Sequence, residues 1–319
     1  MTITQLHYVL AVAEHRNFTL AAQKTFVTQP TLSMQIQKLE EELGVLIFDR
    51  NKKPIALTGV GEKIVEQARN IVNESERIKD IIQRQKGFVG GDFKLGIIPT
   101  VMPTLLPMFL KRFIKKYPDV RLSIEEHNTD AIIKNLRDGH LDAAIAATPL
   151  EDEQLKERPL YYEPFVAYIP GDHRLGRSKK IDVTDLNIDD ILLLEDGHCF
   201  RNNVVNLCRA SKNHSREHFH LESGSFETMI RLVNEGLGMT LLPYLNTLEL
   251  KESEQRRLHY FNDPVPAREV SLVYHKSELK MHITRALQDV ISGIIRGAIA
   301  FQDVQIISPV KHTRRAVLQ

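Results

Sequence analysis

Cys199 and Cys208 are the two residues of this chain whose type and spacing best suit thiol redox chemistry, and they lie nine positions apart. They are the only cysteines among 319 residues. If the segment between them is helical, its ends are separated by about 13–14 Å of helix rise, whereas a disulfide needs Cα atoms within about 7 Å. Disulfide formation would therefore require the segment to unwind. A disulfide of this kind is typical of a conformational switch and not of a structural crosslink.

The alternative is that both cysteines are small buried hydrophobes, which is the usual role of two cysteines in an intracellular chain. The surroundings of Cys199 favour reactivity, because His198 precedes it and Arg201 follows it. We expect a strand over residues 190–194 to lead into a helix here, and a helix N-terminus and a nearby cation both stabilise a thiolate. Cys208 lies in an amphipathic stretch and is expected to be more buried.

The composition indicates a soluble protein with more than one folding unit. Hydrophobic residues make up 42% of the 319 residues, and the net charge is +1, so any contact with nucleic acid must come from a local patch. Residues 1–18 lack the basic flank and apolar core of a signal peptide. The apolar stretch at 290–301 contains Arg296 and is too short to span a bilayer. We therefore expect a cytoplasmic location.

Residues 1–57 predict a DNA-binding unit of three helices and a wing. The third helix is expected over 29–43, where apolar residues recur at helical spacing and leave a polar face outward. The start of such a helix enters the DNA major groove, and cations on a wing contact phosphate. The candidate DNA contacts are Gln29, Pro30, Thr31, Ser33, Met34 and Gln37 on the helix, and Arg50, Lys52 and Lys53 on the wing. The alternative is a polar face and a basic loop that are merely solvated.

Residues 58–87 predict one long linker helix with a dimerisation seam. Apolar side chains recur about every 3.5 residues, as in a coiled coil. The seam consists of Ile64, Ala68, Ile71, Ile78 and Ile82. A lone helix cannot bury such a stripe, so the pattern predicts a homodimer, and the alternative is a helix packed on its own domain. Glycines 87 and 91 then mark a domain boundary.

Residues 88–305 alternate strands and helices, which predicts an α/β sheet covered on both faces. Expected strands include 93–98, 121–126, 141–146, 162–169, 191–194, 219–222, 239–242 and 270–274. His214, His218 and His220 lie in a polar stretch, and we expect them at the surface and not on a metal. We expect no metal and no cofactor, because no cysteine pair has zinc spacing and no nucleotide-binding glycine motif is present. Residues 306–319 are expected to be a basic, disordered tail.

Several motifs in order resemble those of the LysR-type transcriptional regulators. They are Phe18-Thr-Leu-Ala-Ala, Thr28-Gln-Pro-Thr-Leu-Ser, Leu39-Glu-Glu-Glu-Leu-Gly-Val, Leu46-Ile-Phe-Asp-Arg and Leu57-Thr-Gly-Val-Gly. The resemblance implies an N-terminal all-α winged helix-turn-helix, a long linker helix, and an α/β effector domain of two subdomains like a periplasmic binding protein. It also implies that the chain crosses between subdomains near Glu163 and again near Arg268.

Further motifs resemble the peroxide-sensing subgroup of that family. They are Glu195-Asp-Gly-His-Cys with Cys208, Gly96-Ile-Ile-Pro-Thr-Val and Arg268-Glu-Val-Ser-Leu-Val-Tyr. The resemblance implies that Cys199 is the peroxidatic thiol and Cys208 the resolving thiol, joined reversibly as a disulfide. It implies a peroxide pocket of Thr100, Thr129, His198 and Arg268, although Thr100 and Thr129 could instead be ordinary helix caps and Arg268 could simply pair with a carboxylate.

The same resemblance implies a transcription activator of an oxidative stress response, and not an enzyme. Its implied partners are double-stranded operator DNA, hydrogen peroxide, RNA polymerase, a cellular thiol reductant and further copies of the chain, as a homodimer or homotetramer. Two alternatives stay open from the residues themselves. One is a LysR-type regulator that responds to a small organic effector and has inert cysteines, and the other is a thiol peroxidase.

Overall fold

The computed structural model describes residues 1–85, 89–208, 223–299 and 304–310, and these form two compact units. The first unit contains residues 1–85, and the second begins at Val89. Within the described residues, no helix is long and apolar enough to cross a membrane.

The first unit is a three-helix bundle followed by a wing and a long helix. Each of its first three helices is capped at the N-terminus by a side chain that accepts a hydrogen bond from a backbone amide of the first turn. The capping residues are Thr2, Asn17 and Thr28. The elements are α1 (Ile3–His15), α2 (Phe18–Lys24), α3 (Gln29–Leu43), β1 (Phe48–Asp49), β2 (Ala56–Leu57) and α4 (Gly59–Gln85). The predicted bounds of α3 are confirmed. The predicted three helices and wing are confirmed, and the wing consists of β1 and β2, which pair antiparallel.

The first part of α4 packs against the helices of its own unit. Val65, Ala68 and Val72 are buried in the same core as Leu6 and Val9. The assignment of Ala68 to a dimer seam is therefore corrected, since only 1% of it is exposed. A stripe of apolar residues predicts that a helix face is covered, but it does not specify whether the cover comes from the same domain or from a second copy.

The remaining seam residues differ in exposure along α4. Ile64 is half-buried against the core of its own unit, whereas 38% of Ile71 and 62% of Ile78 are exposed. The side chain of Ile82 lies outside the part of the chain that the structure describes. A seam between copies therefore depends on the later part of the helix.

The second unit is built on a mixed sheet. Its strands are β3 (Gly91–Ile97), β4 (Val120–Glu126), β5 (Ala143–Thr148), β6 (Leu155–Tyr168), β7 (Lys180–Ile181), β8 (Thr240–Pro243), β9 (Leu258–Phe261), β10 (Val265–His275) and β11 (Val304–Ile306). The strand order is β4-β3-β5-β10-β6-β9-β7, with β8 beside β6 and β11 beside β10. The helices are α5 (Met102–Lys116), α6 (Thr129–Arg137), α7 (Cys199–Leu207), α8 (Phe226–Asn234), α9 (Tyr244–Thr247), α10 (Glu252–Gln255) and α11 (Met281–Ile295).

Two long antiparallel strands, β6 and β10, connect two subdomains that each have their own core. One core surrounds Phe93, Phe109 and Ile145, and the other surrounds Val166 and Met229. The N-terminal part of β6 pairs with β10, while its last four residues pair with β8 of the second subdomain. The expected α/β effector domain of two subdomains is confirmed.

One expected strand of this unit differs from the structure. Residues 191–194 do not form a strand, because only Ile191 makes an isolated bridge, to Met239. The segment lies beside β8, and the amide of Leu192 donates to the carbonyl of Met239 at 2.8 Å, but the pairing does not continue. The expected strand at 219–222 and the three histidines at 214, 218 and 220 lie outside the described residues.

The expectation of disorder from residue 306 onward is wrong for residues 306–310. β11 pairs in parallel with residues 265–267 of β10, and only 8% of Ile307 is exposed. Apolar residues before the basic tail supply a strand that can bury one face, and the basic composition that suggested disorder begins only at Lys311. Residues 311–319 lie outside the described part of the chain.

Candidate functional site

Cys199 is the first residue of α7, and Cys208 immediately follows the last. His198 occupies the N-cap position without a side-chain capping bond, and Cys208 is the C-cap. Both thiols are free, with 4% of Cys199 and 9% of Cys208 exposed. A helix that separates residues nine positions apart holds them about 13–14 Å apart along its axis, which is beyond the reach of a disulfide.

The two thiols belong to different cores. Cys199 packs in the core of the first subdomain, and Cys208 packs in the core of the second. Burial raises the pKa of the Cys208 thiol to about 12. Cys208 is therefore almost entirely protonated at neutral pH while α7 is folded, and a protonated thiol is a poor nucleophile.

A buried ion pair lies beside Cys199. The Nε and Nη2 atoms of Arg268 donate to Oε2 of Glu163 at 2.9 and 2.7 Å, and both residues have no exposed surface. The guanidinium also lies over the ring of Phe200, 5.3 Å from its centroid. Burial by itself lowers the pKa of Arg268, but the charge of Glu163, followed by Tyr161 and Cys199, raises it above its usual value. Arg268 is thus a fixed cation that is electrostatically coupled to the thiol.

Arg268 also orients Thr100, which it binds twice. Its Nη1 donates to Thr100 Oγ1 at 2.8 Å, and its Nη2 donates to the Thr100 carbonyl at 3.1 Å. Since the Thr100 hydroxyl oxygen accepts a hydrogen bond, its own hydrogen is available to another acceptor. Thr100 is not a helix cap, because α5 begins after Val101 without a side-chain capping bond.

Thr129 carries an unsatisfied buried hydroxyl. Its Oγ1 atom has no hydrogen-bond partner within the described residues, and such a group normally costs about 1–3 kcal/mol. It is not the cap of α6, because Asn128 Oδ1 accepts from the amide of Ala131 at 2.9 Å. A buried hydroxyl without a protein partner is ready to bind a small polar ligand.

The register of the sheet brings the two threonines to the same edge. The neighbouring parallel strands β3 and β4 end at paired residues, Ile97 and Glu126. Thr100 and Thr129 each lie three residues beyond those ends, where ligands bind in open α/β sheets. Gly197 has a left-handed φ of +97°, and a Cβ there would lie 3.7 Å from Nδ2 of Asn128. The loop before Cys199 therefore approaches the start of α6.

His198 completes the set of predicted pocket residues. Its side chain is 9% exposed, and its Nε2 lies 3.4 Å from Oε1 of Glu195. Gly224 packs directly over this pair, since a Cβ there would lie 2.7 Å from His198 Nε2. His198 directly precedes Cys199 in the sequence, so its imidazole is held on the residue adjacent to the thiol. Among the described residues, no group of histidines, cysteines and carboxylates could hold a metal ion.

Neither Glu163 nor Phe200 was predicted from the sequence as a site residue. Glu163 pairs with Arg268 across β6 and β10, and these two residues lie 105 positions apart. The available signal was the single charged residue in the otherwise apolar stretch 160–167 of β6, because a buried charge needs a partner of opposite charge.

The recognition helix α3 has the expected two faces. Gln29, Pro30 and Gln37 are exposed, as is half of Met34, while Thr31 and Ser33 are half-buried. Leu32 and Ile36 lie in the core on the opposite face. The outward residues are therefore accessible to DNA.

Arg50 binds protein groups rather than lying free on the wing. Its Nη2 donates to Oε2 of Glu40 at 2.9 Å, and its Nη1 donates to Oγ of Ser33 at 3.3 Å. Glu40 is buried, and its Oε1 also accepts from the amides at positions 47 and 48. Arg50 therefore bridges α3 and the wing, and its predicted contact with phosphate stays untested. Lys52 and Lys53 are exposed and stay candidates for phosphate.

Comparison with known proteins identifies both units. Residues 3–62 match the bacterial regulatory helix-turn-helix protein, lysR family, and residues 86–293 match the LysR substrate binding domain. The hydrogen peroxide-inducible genes activator of Pectobacterium carotovorum is 36% identical over 274 residues, which cover 86% of this chain and 90% of that protein. The DNA-binding transcriptional dual regulator OxyR of Escherichia coli K12 is 35% identical, with 86% and 89% covered.

Solved structures of the same group are also similar. A full-length OxyR variant from Pseudomonas aeruginosa has a TM-score of 0.74 at 35% identity, covering 92% of this chain and 98% of that chain. A hydrogen peroxide-bound OxyR variant from Corynebacterium glutamicum has a TM-score of 0.56 at 31% identity, covering 96% and 98%.

Proposed function

Since the chain belongs to the LysR family of bacterial transcription regulators, and to its peroxide-sensing OxyR-type members, we propose that hydrogen peroxide acts on it by oxidising Cys199 and joining it to Cys208. The observation that carries this proposal is the position of Cys199. Its buried thiol begins α7 and is coupled to the fixed guanidinium of Arg268, which also holds the hydroxyl of Thr100.

The first step is attack of the Cys199 thiolate on one oxygen of hydrogen peroxide. A sulfur–oxygen bond forms as the oxygen–oxygen bond breaks, so sulfur loses two electrons, a sulfenic acid forms and hydroxide leaves. The hydroxyls of Thr100 and Thr129 hold the peroxide oxygens, and His198 supplies the proton that turns hydroxide into water. Arg268 stabilises the negative charge on sulfur and then on the leaving oxygen.

The second step joins Cys208 to the oxidised sulfur. The sulfur–sulfur bond forms as the sulfur–oxygen bond breaks, and the sulfenic hydroxyl leaves with the thiol proton as a second water. This step needs α7 to unwind, because the helix separates the thiols and burial raises the pKa of Cys208 to about 12. A cellular thiol reductant supplies two electrons to reverse the reaction.

The output of the sensor is a change in DNA binding. The exposed residues of α3 read bases in the major groove, and Lys52 and Lys53 contact phosphate. Pairing of two copies through the later part of α4, with Ile71, Ile78 and Ile82 at the seam, would present two recognition helices to a two-half-site operator. Ile64 contributes at the edge of that seam.

Further partners follow from this role as a cytoplasmic activator. The chain would act as a homodimer or a homotetramer, and RNA polymerase is recruited at the promoter. We propose a sensor that reacts once per reduction cycle, and not a thiol peroxidase, so sustained peroxide turnover with thioredoxin would identify an enzyme instead. A response of the bound promoter to a metabolite, with no response to peroxide, would identify the organic-effector regulator.

The test compares Cys199→Ser with Cys208→Ser in promoter output and DNA footprint, with and without peroxide. We expect Cys199→Ser to bind DNA and to lose the peroxide response. Cys208→Ser is the matched control, because it should still consume one equivalent of peroxide and accumulate a sulfenic acid without a disulfide. A Cys199→Ser variant that still switches contradicts the thiol mechanism.

A further inference from the structure

Glu163 is a buried carboxylate that contacts both Arg268 and the short helix α9. Its Oε2 accepts two hydrogen bonds from Arg268, and its Oε1 accepts from the amide of Leu245 at 3.0 Å. The amide belongs to α9, directly after β8. Three N–H groups from two segments therefore fix the carboxylate in one orientation.

That orientation determines where the guanidinium of Arg268 points. Two of its N–H groups bind Glu163, and two bind the hydroxyl and the carbonyl of Thr100. A planar guanidinium held on opposite sides has no freedom to rotate. Because neither charged residue is exposed, water screens their charges little, and the negative charge of Glu163 acts on the nearby thiol as well.

We propose that Glu163 is a positioning residue of the peroxide site, which aims Arg268 at Thr100 and limits how strongly Arg268 stabilises the thiolate of Cys199. This proposal rests on the reaction proposed above for Cys199. Glu163 does not touch peroxide or sulfur in this account. Its charge makes the pair with Arg268 neutral overall, and loss of that charge would leave the cation of Arg268, which is coupled to the thiol, uncompensated.

The test is the pH titration of the Cys199 thiolate by absorbance at 240 nm, together with the rate of peroxide consumption, in a Cys208→Ser background. We expect Glu163→Gln to shift the midpoint of both profiles downward by about one pH unit. The conservative variant Glu163→Asp keeps the charge and should keep the midpoint of the parent. A merely structural role predicts the same shift for both variants, and that result would overturn the proposal.

A second combination keeps the test decisive if Glu163→Gln alone does not fold. The double variant Glu163→Gln with Arg268→Gln removes both charges and leaves two amides that can pair, and its midpoint should lie above that of the parent. A double variant with a midpoint at or below the parent would overturn the proposal. If no variant and no parent protein consumes peroxide through Cys199, the reaction itself is wrong, which is a different result.

A different observation concerns residues 304–310, which we call the strap. Residues 304–306 pair in parallel with β10, and the amide of Ile307 donates to the carbonyl of Ala267 at 2.8 Å. The strap therefore attaches to β10 immediately before Arg268.

The other attachment of the strap is to α7. Asn203 Nδ2 donates to the carbonyl of Ile307 at 2.6 Å, and Asn206 Nδ2 donates to the carbonyls of Ser308 and Val310 at 2.8 and 2.9 Å. Asn203 and Asn206 lie three residues apart on one face of the helix. Both lie between Cys199 and Cys208.

The geometry points to the strap as a redox-sensitive latch that holds α7 in its reduced conformation and is released when the disulfide forms. The inference rests on the proposed disulfide. A disulfide between the two ends of α7 requires the helix to unwind, and the two asparagines cannot then keep their spacing on the strap. By linkage, a contact made only in the reduced state stabilises that state and opposes oxidation.

The first arm of the test is hydrogen exchange of residues 304–310 in both redox states of the full chain. We expect protected amides in the reduced protein and loss of protection after oxidation. Equal protection in the two states, in a sample shown by peptide mapping to contain the disulfide, would overturn the latch and leave the disulfide intact. Absence of the disulfide itself would instead refute the proposed function.

The second arm is a redox titration against glutathione. Asn206→Ala removes two strap contacts and should raise the equilibrium constant for disulfide formation about tenfold, which corresponds to a potential about 30 mV more negative. Asn202→Ala is the matched control, since Asn202 lies on the same helix and none of the three strap contacts involves it. Equal potentials for Asn206→Ala and Asn202→Ala would overturn the proposal.

Discussion

Two arginines in different units of the molecule have the same set of partners. Arg268 binds the carboxylate of Glu163, a threonine hydroxyl and the face of a phenylalanine ring. Arg50 binds the carboxylate of Glu40, the hydroxyl of Ser33 and the face of Phe18, whose centroid is 5.1 Å away. The two sets differ in burial, because Arg268 has no exposed surface, whereas 39% of the side chain of Arg50 is exposed.

Burial determines what the shared arrangement does. Around Arg268, water is excluded, so its charge is little screened at the neighbouring Cys199. Around Arg50, solvent and salt screen the charge. There the arrangement mainly holds the wing against the recognition helix, because Glu40 also binds two wing amides. In the proposed function, the same chemistry would support a reaction in one unit and the geometry of a DNA-binding surface in the other.

The largest effect is expected for Arg268→Gln. Loss of one partner from a buried ion pair costs about 3–5 kcal/mol of stability, and loss of a fixed donor next to developing charge slows a reaction about 10²–10³-fold. Denaturant unfolding and stopped-flow peroxide consumption measure the two effects. A stable Arg268→Gln protein with the peroxide rate of the parent would show that the buried pair serves neither purpose.

Thr129→Val separates reactivity from stability in the same pocket. The substitution removes a buried hydroxyl that lacks a protein partner, so stability should be unchanged or slightly higher. The rate of peroxide consumption should fall about tenfold or more, because a hydrogen bond to a charged group contributes about 1.5–3 kcal/mol. Thr284→Val is the control, since its buried hydroxyl donates to the Lys280 carbonyl and should affect stability without affecting the rate. An unchanged rate for Thr129→Val would remove Thr129 from the pocket.

Arg50→Gln tests the exposed member of the comparison. Because solvent reaches this pair, we expect a stability loss of roughly 1–2 kcal/mol, smaller than for Arg268. Affinity for operator and random DNA should both fall, while the dependence of affinity on salt stays the same. A salt slope reduced by about one unit would instead identify Arg50 as a phosphate contact.

Lys52→Ala should have the smallest effect and the opposite signature. About two thirds of its side chain is exposed, and its carboxylate neighbour Asp49 lies 3.9 Å away, so stability should be unchanged. The salt slope of DNA binding should fall by about one unit for all sequences. Titrations at several salt concentrations measure it, and an unchanged slope would show that the wing does not contact phosphate at this position.

The sequence predicted the elements whose pattern is local. The bounds of α3 and the single long helix α4 follow from helical spacing, a capping threonine and Pro30 in the first turn. The sequence predicted less where contacts between distant segments determine the structure. Helical periodicity does not show that Ala68 packs against its own domain. Residues 191–194 have the composition of a strand, but only one of them forms a bridge to a partner segment.

For the candidate site too, the sequence predicted the residues that lie in local motifs. Cys199, Thr100 and Arg268 lie in such motifs, and in the structure Arg268 donates a hydrogen bond to Thr100. Glu163 and the contact of the strap with Asn203 could not be predicted, since each joins residues more than a hundred positions apart. Such pairs become visible only when the strands and helices have been assembled.

In the proposed reaction, Cys199 reacts first and α7 must open before Cys208 can join it. The direct measurement is time-resolved mass spectrometry of the protein after sub-stoichiometric peroxide, with dimedone to trap sulfenic acid and non-reducing peptide mapping to detect the disulfide. We expect trapped sulfenic acid at Cys199 alone, followed by a disulfide between Cys199 and Cys208 in the untrapped sample. Sulfenic acid at Cys208, or oxidation that leaves Cys199 reduced, would contradict it.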